Sequence, residues 1–146
     1  MNRYQLAIIG LLISTSAFAK IENLAEHWQV ASNNNAAVLS QDQGYIAEFS
    51  FADGGVIISS TINGSCTSTQ QQHHVAGKLV TFELKQHNKH CSLIPKKIKD
   101  KAIVNSSFNR LKTVSFNNAS FTTKGFHDAL IQAEKIRFTG KIVKQS

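Results

Sequence analysis

Apolar and polar residues alternate in several short segments of this chain, which is the period of a β-strand with one buried face. The clearest alternation lies at residues 45–51, where a tyrosine, an alanine and two phenylalanines occupy every second position. Residues 52–55, with the sequence ADGG, predict a tight turn, and the β-branched residues 56–62 predict the returning strand of a hairpin. A shorter alternating segment at residues 27–30 predicts a first strand.

The middle of the chain continues this pattern. Residues 74–84 predict two short strands on either side of a turn at residues 76–78, and residues 87–89 predict a loop. The single proline, Pro95, stops a strand or opens a helix, because its ring fixes φ and removes a hydrogen-bond donor.

The period then lengthens to that of an amphipathic helix. Within residues 96–112, Val104, Phe108 and Leu111 are spaced i, i+4, i+7, so they predict the buried face of one helix. The basic residues near position 112 favour the C-terminal end of this helix, where the helix dipole attracts cations.

The last part of the chain predicts a hairpin, a second helix and a closing strand. The hairpin is predicted at residues 113–116 and 120–123, the helix at residues 126–135 and the strand at residues 136–143. The whole pattern predicts an α+β, β-rich fold, a mostly antiparallel sheet or small barrel with one or two helices in the C-terminal half.

The N-terminus has the pattern of a secretory signal peptide. Arg3 precedes an apolar run at residues 6–13, and an Ala-Phe-Ala sequence ends at Ala19. The run is too short for a comfortable membrane span, which argues against the alternative of an anchor. We therefore expect residues 1–19 to be removed, leaving no transmembrane anchor and a single β-rich periplasmic or secreted domain at residues 20–146.

The chain is basic, with a formal net charge of +7. A basic balance often indicates nucleic-acid binding, but export removes the chain from nucleic acid. The partners that we expect are an envelope protein or an anionic surface component such as a lipid headgroup. A basic surface that serves solubility is the alternative.

Both cysteines, Cys66 and Cys91, enclose a segment that carries four of the six histidines. Two cysteines in an oxidising compartment usually pair, so we expect a disulfide that stabilises the fold by roughly 3.5 kcal/mol. A metal site is the competing interpretation. Paired cysteines are lost as ligands, however, and no CxxC or HExxH motif accompanies the histidines, so we expect no metal.

The sequence has no motif typical of an enzyme. There is no GxSxG elbow, no glycine-rich phosphate loop and no recognisable carboxylate pair, and a disulfide removes the thiolate that a Cys/His mechanism needs. We expect no catalytic residues and no cofactor. The candidate partner-binding residues are the cations of the densest charge run and two nearby histidines: Lys96, Lys97, Lys99, Lys101, His87 and His90.

Read in order, several motifs resemble the META domain of HslJ-like heat-inducible envelope proteins. These are Trp28, the sequence FADG at residues 51–54, GSC at residues 64–66, GKLVTF at residues 77–82, Cys91, and the helix-to-strand residues Phe108, Leu111, Val114 and Phe116. The sequence FTTKGFHDAL is more similar to the ending of periplasmic proteins of the invasion-associated locus B type. Both resemblances imply a small, non-enzymatic envelope protein.

From these features we expect a small exported envelope protein that acts without catalysis, as a binding or protective factor in stress or tolerance. The alternative is a periplasmic immunity or inhibitor protein that neutralises a toxin or a cell-wall hydrolase.

Overall fold

The computed structural model describes residues 25–145, and the side chains of residues 25–139 within them. The predicted signal peptide, residues 1–19, lies outside the described residues. The described chain forms nine strands and two helices. The strands are β1 Gln29–Val30, β2 Ala36–Leu39, β3 Tyr45–Ser50, β4 Gly55–Ser60, β5 Gln70–Val75, β6 Lys78–His87, β7 His90–Pro95, β8 Thr113–Phe116 and β9 Ala119–Thr122. The helices are α1 Ile98–Arg110 and α2 Phe126–Gln145.

All nine strands belong to one curled antiparallel sheet in the order β1-β2-β3-β4-β7-β6-β5-β8-β9. The sequence prediction of an α+β, β-rich fold is therefore confirmed. Most neighbouring strands are joined by hairpins, and turn residues predict those of β3–β4, β5–β6 and β8–β9. The exceptions are the pairs β4–β7 and β5–β8, which meet because the β5–β6 hairpin folds back beside β7 and β8.

The hydrophobic core lies between one face of the sheet and the two helices. Ala47 of β3, Ile58 of β4 and Phe82 of β6 point into it and are fully buried. Val104 and Phe108 of α1 pack against them, as the helical spacing predicts. Leu111 is different: α1 ends at Arg110, so Leu111 has extended backbone and is 44% exposed.

Trp28, directly before β1, contacts β9 and both helices. Its indole Nε1 donates to the carbonyl oxygen of Thr122 at 2.8 Å, and its ring packs edge-on against Phe108 and Phe126. Gly125 has a φ of +78°, and a Cβ there would lie 3.2 Å from the Trp28 carbonyl oxygen. A glycine is therefore needed for α2 to begin this close to β1.

Three elements differ from the sequence prediction. Strand β5 begins at Gln70, four residues before the predicted start at residue 74. Residues 136–143 are not a closing strand, because α2 continues to Gln145. Ala133 and Arg137 lie one turn apart on the same helix face; Ala133 is buried, and Arg137 contacts Phe51, 4.3 Å from its ring centroid. Strand β2 was not predicted, because its four residues are buried on both faces and show no alternation.

Candidate functional site

The face of the sheet opposite the helices, here called the open face, has a groove in its central strands. Side chains of β3, β4 and β7 alternate, so Ile46, Ser59 and Ser92 lie side by side on this face. The hydroxyl oxygens of Ser59 and Ser92 are 2.8 Å apart and buried. These two residues are 33 positions apart in sequence, and the strand register alone brings them together.

At one end of the groove is a pocket of about 360 Å³, here called the rim pocket. Its floor combines two aliphatic side chains, Leu39 and Ile46, with the paired serines. Its walls come from the β2–β3 turn, the end of β4 with the loop that follows it, and the β6–β7 turn. The lining residues are Leu39, Gln43, Ile46, Glu48, Ser59, Ser60, Thr61, His87, Asn88, His90 and Ser92.

Hydrogen bonds join these three segments to one another. The Thr61 hydroxyl donates to the carbonyl oxygen of Gln43 at 2.7 Å, and the Thr61 N–H donates to that of Gly44 at 3.1 Å. The Gly64 N–H donates to the carbonyl oxygen of Lys89 at 2.7 Å. The loop that follows β4 is thus bonded both to the β2–β3 loop and to the β6–β7 turn, so the walls of the pocket are fixed relative to one another.

The disulfide adds a covalent link to the same region. Cys66 and Cys91 are bonded, with their Cα atoms 5.1 Å apart, which confirms the predicted pairing. Gln86 reinforces it: its side chain accepts the Cys66 N–H at 2.8 Å and donates to the carbonyl oxygens of Gly64 and Asn88. The enclosed segment is not a loose loop, because it contains the β5–β6 hairpin.

The β2–β3 loop is shaped by Asp42. Its carboxylate accepts the Ser40 hydroxyl at 2.5 Å and the Gly44 N–H at 3.0 Å. These two bonds hold the pKa of Asp42 below its ordinary value of 3.8, the Ser40 hydroxyl having the larger effect. The loop is therefore ordered around a charged carboxylate.

The predicted partner-binding residues fall into two separate groups. His87 and His90 are directly paired at the β6–β7 turn, and both line the rim pocket. The lysines lie beyond the other end of β7, about 20 Å away at the rise of a strand. Lys96 donates to the side-chain oxygen of Gln70, and Lys101 to the carbonyl oxygen of Asp53.

His90 has an unusual environment. Its Nδ1 atom is buried and has no hydrogen-bond partner among the described residues. A buried polar atom without a partner costs about 1–3 kcal/mol. A ligand group that formed a hydrogen bond with this Nδ1 atom would therefore remove that free-energy cost.

A second pocket, of about 390 Å³, continues the groove along the open face and shares Glu48, His87 and Ser92 with the rim pocket. Glu48 forms its polar side, where its carboxylate accepts from the side-chain amides of Asn33 and Asn35.

The other two histidines of the enclosed segment lie away from this groove. His73 and His74 point to opposite faces of β5; His73 packs against Phe116 and hydrogen bonds with Gln71 and Asn117. Within residues 25–145, no group of three or more histidine, cysteine or acidic side chains is placed to hold a metal ion. No helix in that range is long and apolar enough to cross a membrane.

Sequence reasoning missed most of the pocket. The alternation at residues 45–51 puts Ile46 on the strand face opposite Tyr45 and Ala47, but nothing in the sequence marks Ser59 and Ser92 as neighbours. Comparison with protein-family models, curated proteins and solved structures gives no match.

Proposed function

We propose that this chain is a small exported envelope protein that acts by binding rather than by catalysis, and that the rim pocket is its ligand site. The signal-peptide pattern and the disulfide support export, because disulfides persist in oxidising compartments. We also propose that the chain is related to META domains, and that relationship supports a protective role in envelope stress.

The observation that carries the proposal is that the β2–β3 turn, the loop that follows β4 and the β6–β7 turn are bonded together around one pocket. Thr61 joins two of them, and Gly64 and the disulfide join the third. A site whose walls are already fixed loses little conformational entropy when a ligand binds. Its volume of about 360 Å³ lies in the range typical of small-molecule sites.

The lining indicates the chemical class of the ligand. Leu39 and Ile46 offer an apolar floor, whereas His87 and His90 contribute imidazole rings to the lining. An amphipathic small molecule fits this arrangement, with its apolar body on the aliphatic side chains and a hydrogen-bonding polar end at the imidazoles. A medium-chain fatty acid has both parts and serves as the probe.

The test is a titration of the protein with lauric acid in which calorimetry measures the binding affinity. Ser59→Phe places a ring on the pocket floor and should reduce affinity at least tenfold. Ser115→Phe is the matched control, because Ser115 is an exposed strand residue on β8, away from the pocket. Equal affinity in the native protein and in Ser59→Phe, with both variants folded, would contradict the proposal.

A further inference from the structure

A second surface of the molecule combines cations with exposed apolar side chains where β7 passes into α1. It consists of Lys78, Leu79, Lys96, Lys97, Ile98 and Lys99 and is called here the basic-apolar patch. Ile98 is 87% exposed and Leu79 is 51% exposed, while the four lysines are exposed around them. From this combination we infer that the patch docks the protein on a lipid surface with anionic headgroups.

The contacts of Thr81 connect the start of α1 to β6, the strand that carries Lys78 and Leu79. The Thr81 carbonyl oxygen accepts the Lys96 N–H at 3.0 Å, and its N–H donates to the Asp100 carboxylate at 3.3 Å. The first turn of α1 is therefore bonded to β6. Leu79 lies two residues along β6 from Thr81, about 7 Å away at the rise of a strand.

The lysines are not placed to stabilise the helix. Lys97 and Lys99 stand at the N-terminal end of α1, where the helix dipole disfavours cations. Asp100 is the acidic residue of this turn and is only 8% exposed. Its carboxylate oxygens accept the N–H groups of Lys97 and Thr81, so it is turned toward the backbone. The positive charges thus face solvent, where an external anion can meet them.

The exposed isoleucine favours a lipid surface over a soluble anion. Leaving Ile98 in water has a free-energy cost that insertion at the headgroup boundary removes, and lysine stems extend alongside apolar surface while their ammonium groups stay at the phosphates. Neither the rim pocket nor the second pocket of the open face is lined by a residue of the patch. A charged surface with exposed apolar side chains suits a fluid bilayer. This docking is independent of the rim pocket.

The experiment measures co-sedimentation of the protein from residue 20 onward with vesicles. One set is phosphatidylcholine alone, and the other is an equal mixture of phosphatidylcholine and phosphatidylglycerol. We expect binding to the mixed vesicles only, weakening as salt is added. Lys97→Gln with Lys99→Gln should weaken binding about 30-fold, since each lysine near an anionic surface contributes about fivefold. Ile98→Ser should weaken it about fivefold or more.

Two controls match these variants. Lys112→Gln with Lys124→Gln removes the same charge from exposed positions near the other end of α1, about 20 Å away by the length of that helix. Ile62→Ser removes an isoleucine that is 73% exposed but lies beside the disulfide loop. Both should bind as the native protein does, and Ser59→Phe should also, which separates this inference from the ligand pocket.

Three results would overturn the inference. The first is equal binding to both kinds of vesicle, or none. The second is an equal loss in the control lysine pair, which would mean that net charge alone attracts the protein. The third is an unchanged affinity in Ile98→Ser, which would exclude the lipid surface as the occupant.

Discussion

The side chain of Asn105 in α1 accepts the backbone N–H of Val56, at the start of β4, over 3.0 Å. The two residues are 49 positions apart, and Val56 is 1% exposed. Without Asn105 this buried N–H would have no partner, so one amide links the helix to the strand that carries Ser59 of the pocket floor.

We therefore expect Asn105→Ala to lower the free energy of unfolding by about 1–3 kcal/mol, the cost of a buried donor left unsatisfied. Denaturant unfolding measures this. Asn109→Ala, at an exposed position on the same helix, should change it by less than about 0.5 kcal/mol. Equal effects of the two substitutions would show that the Asn105–Val56 bond contributes nothing.

A substitution at Gly55 on β4 tests the same contact between Asn105 and this strand. A Cβ at Gly55 would lie 2.7 Å from the amide atoms of Asn105, so Gly55→Ala should displace that side chain. In the Asn105→Ala background the amide side chain that the new Cβ would displace is absent. A double-mutant cycle should therefore show that Gly55→Ala costs less there, and additive losses would count against the contact.

The disulfide should contribute about 2–4 kcal/mol to the free energy of unfolding, within the range for bridges of this span. Cys66→Ser combined with Cys91→Ser avoids a free thiol and measures the loss by thermal and denaturant unfolding. An unchanged melting temperature would mean that the hydrogen bonds of Gln86 hold the region without the covalent link.

The pKa of Asp42 predicts a local pH dependence. Because folding lowers this pKa, the carboxylate stabilises the fold above its unfolded value of 3.8, and this stability is lost as pH falls through the lower folded value. Ser40→Ala should move the pKa of Asp42 upward toward 3.8 in a carboxyl-carbon NMR titration. Ser68→Ala, which removes a hydroxyl bonded elsewhere, should leave it unchanged.

The continuation of α2 is tested by Arg137. Its guanidinium lies over the Phe51 ring and donates to the Asn35 side chain at 3.0 Å, contacts that require the helix to extend past the predicted boundary at residue 135. Arg137→Ala should cost about 0.5–1 kcal/mol in unfolding free energy. Lys135→Ala, at an exposed position of the same helix, is the control, and equal small losses would argue against this packing.

Local patterns in the sequence were enough to predict the β3–β4 hairpin, because alternation in residues 45–51 and a glycine turn act within the element itself. They failed for β2, whose residues are buried on both faces. They also failed beyond residue 135, where the β-branched Ile136 has strand propensity but the helix is favoured by packing of the preceding turns.

The site was only partly predictable for a related reason. Cysteine parity and the export signal predicted the Cys66–Cys91 bond, and the turn before His90 placed two histidines close together. The Ser59–Ser92 contact and the bonding of Thr61 to Gln43 depend on strand order and register, which bring together residues far apart in sequence.

The most direct test of the ligand site is an amide NMR spectrum of the labelled protein during titration with lauric acid. We predict that the largest shifts fall on Thr61, Asn88 and His90 at the rim pocket, with small changes at Lys97 to Lys99. Shifts centred on those lysines, or no saturable shifts at all, would contradict it.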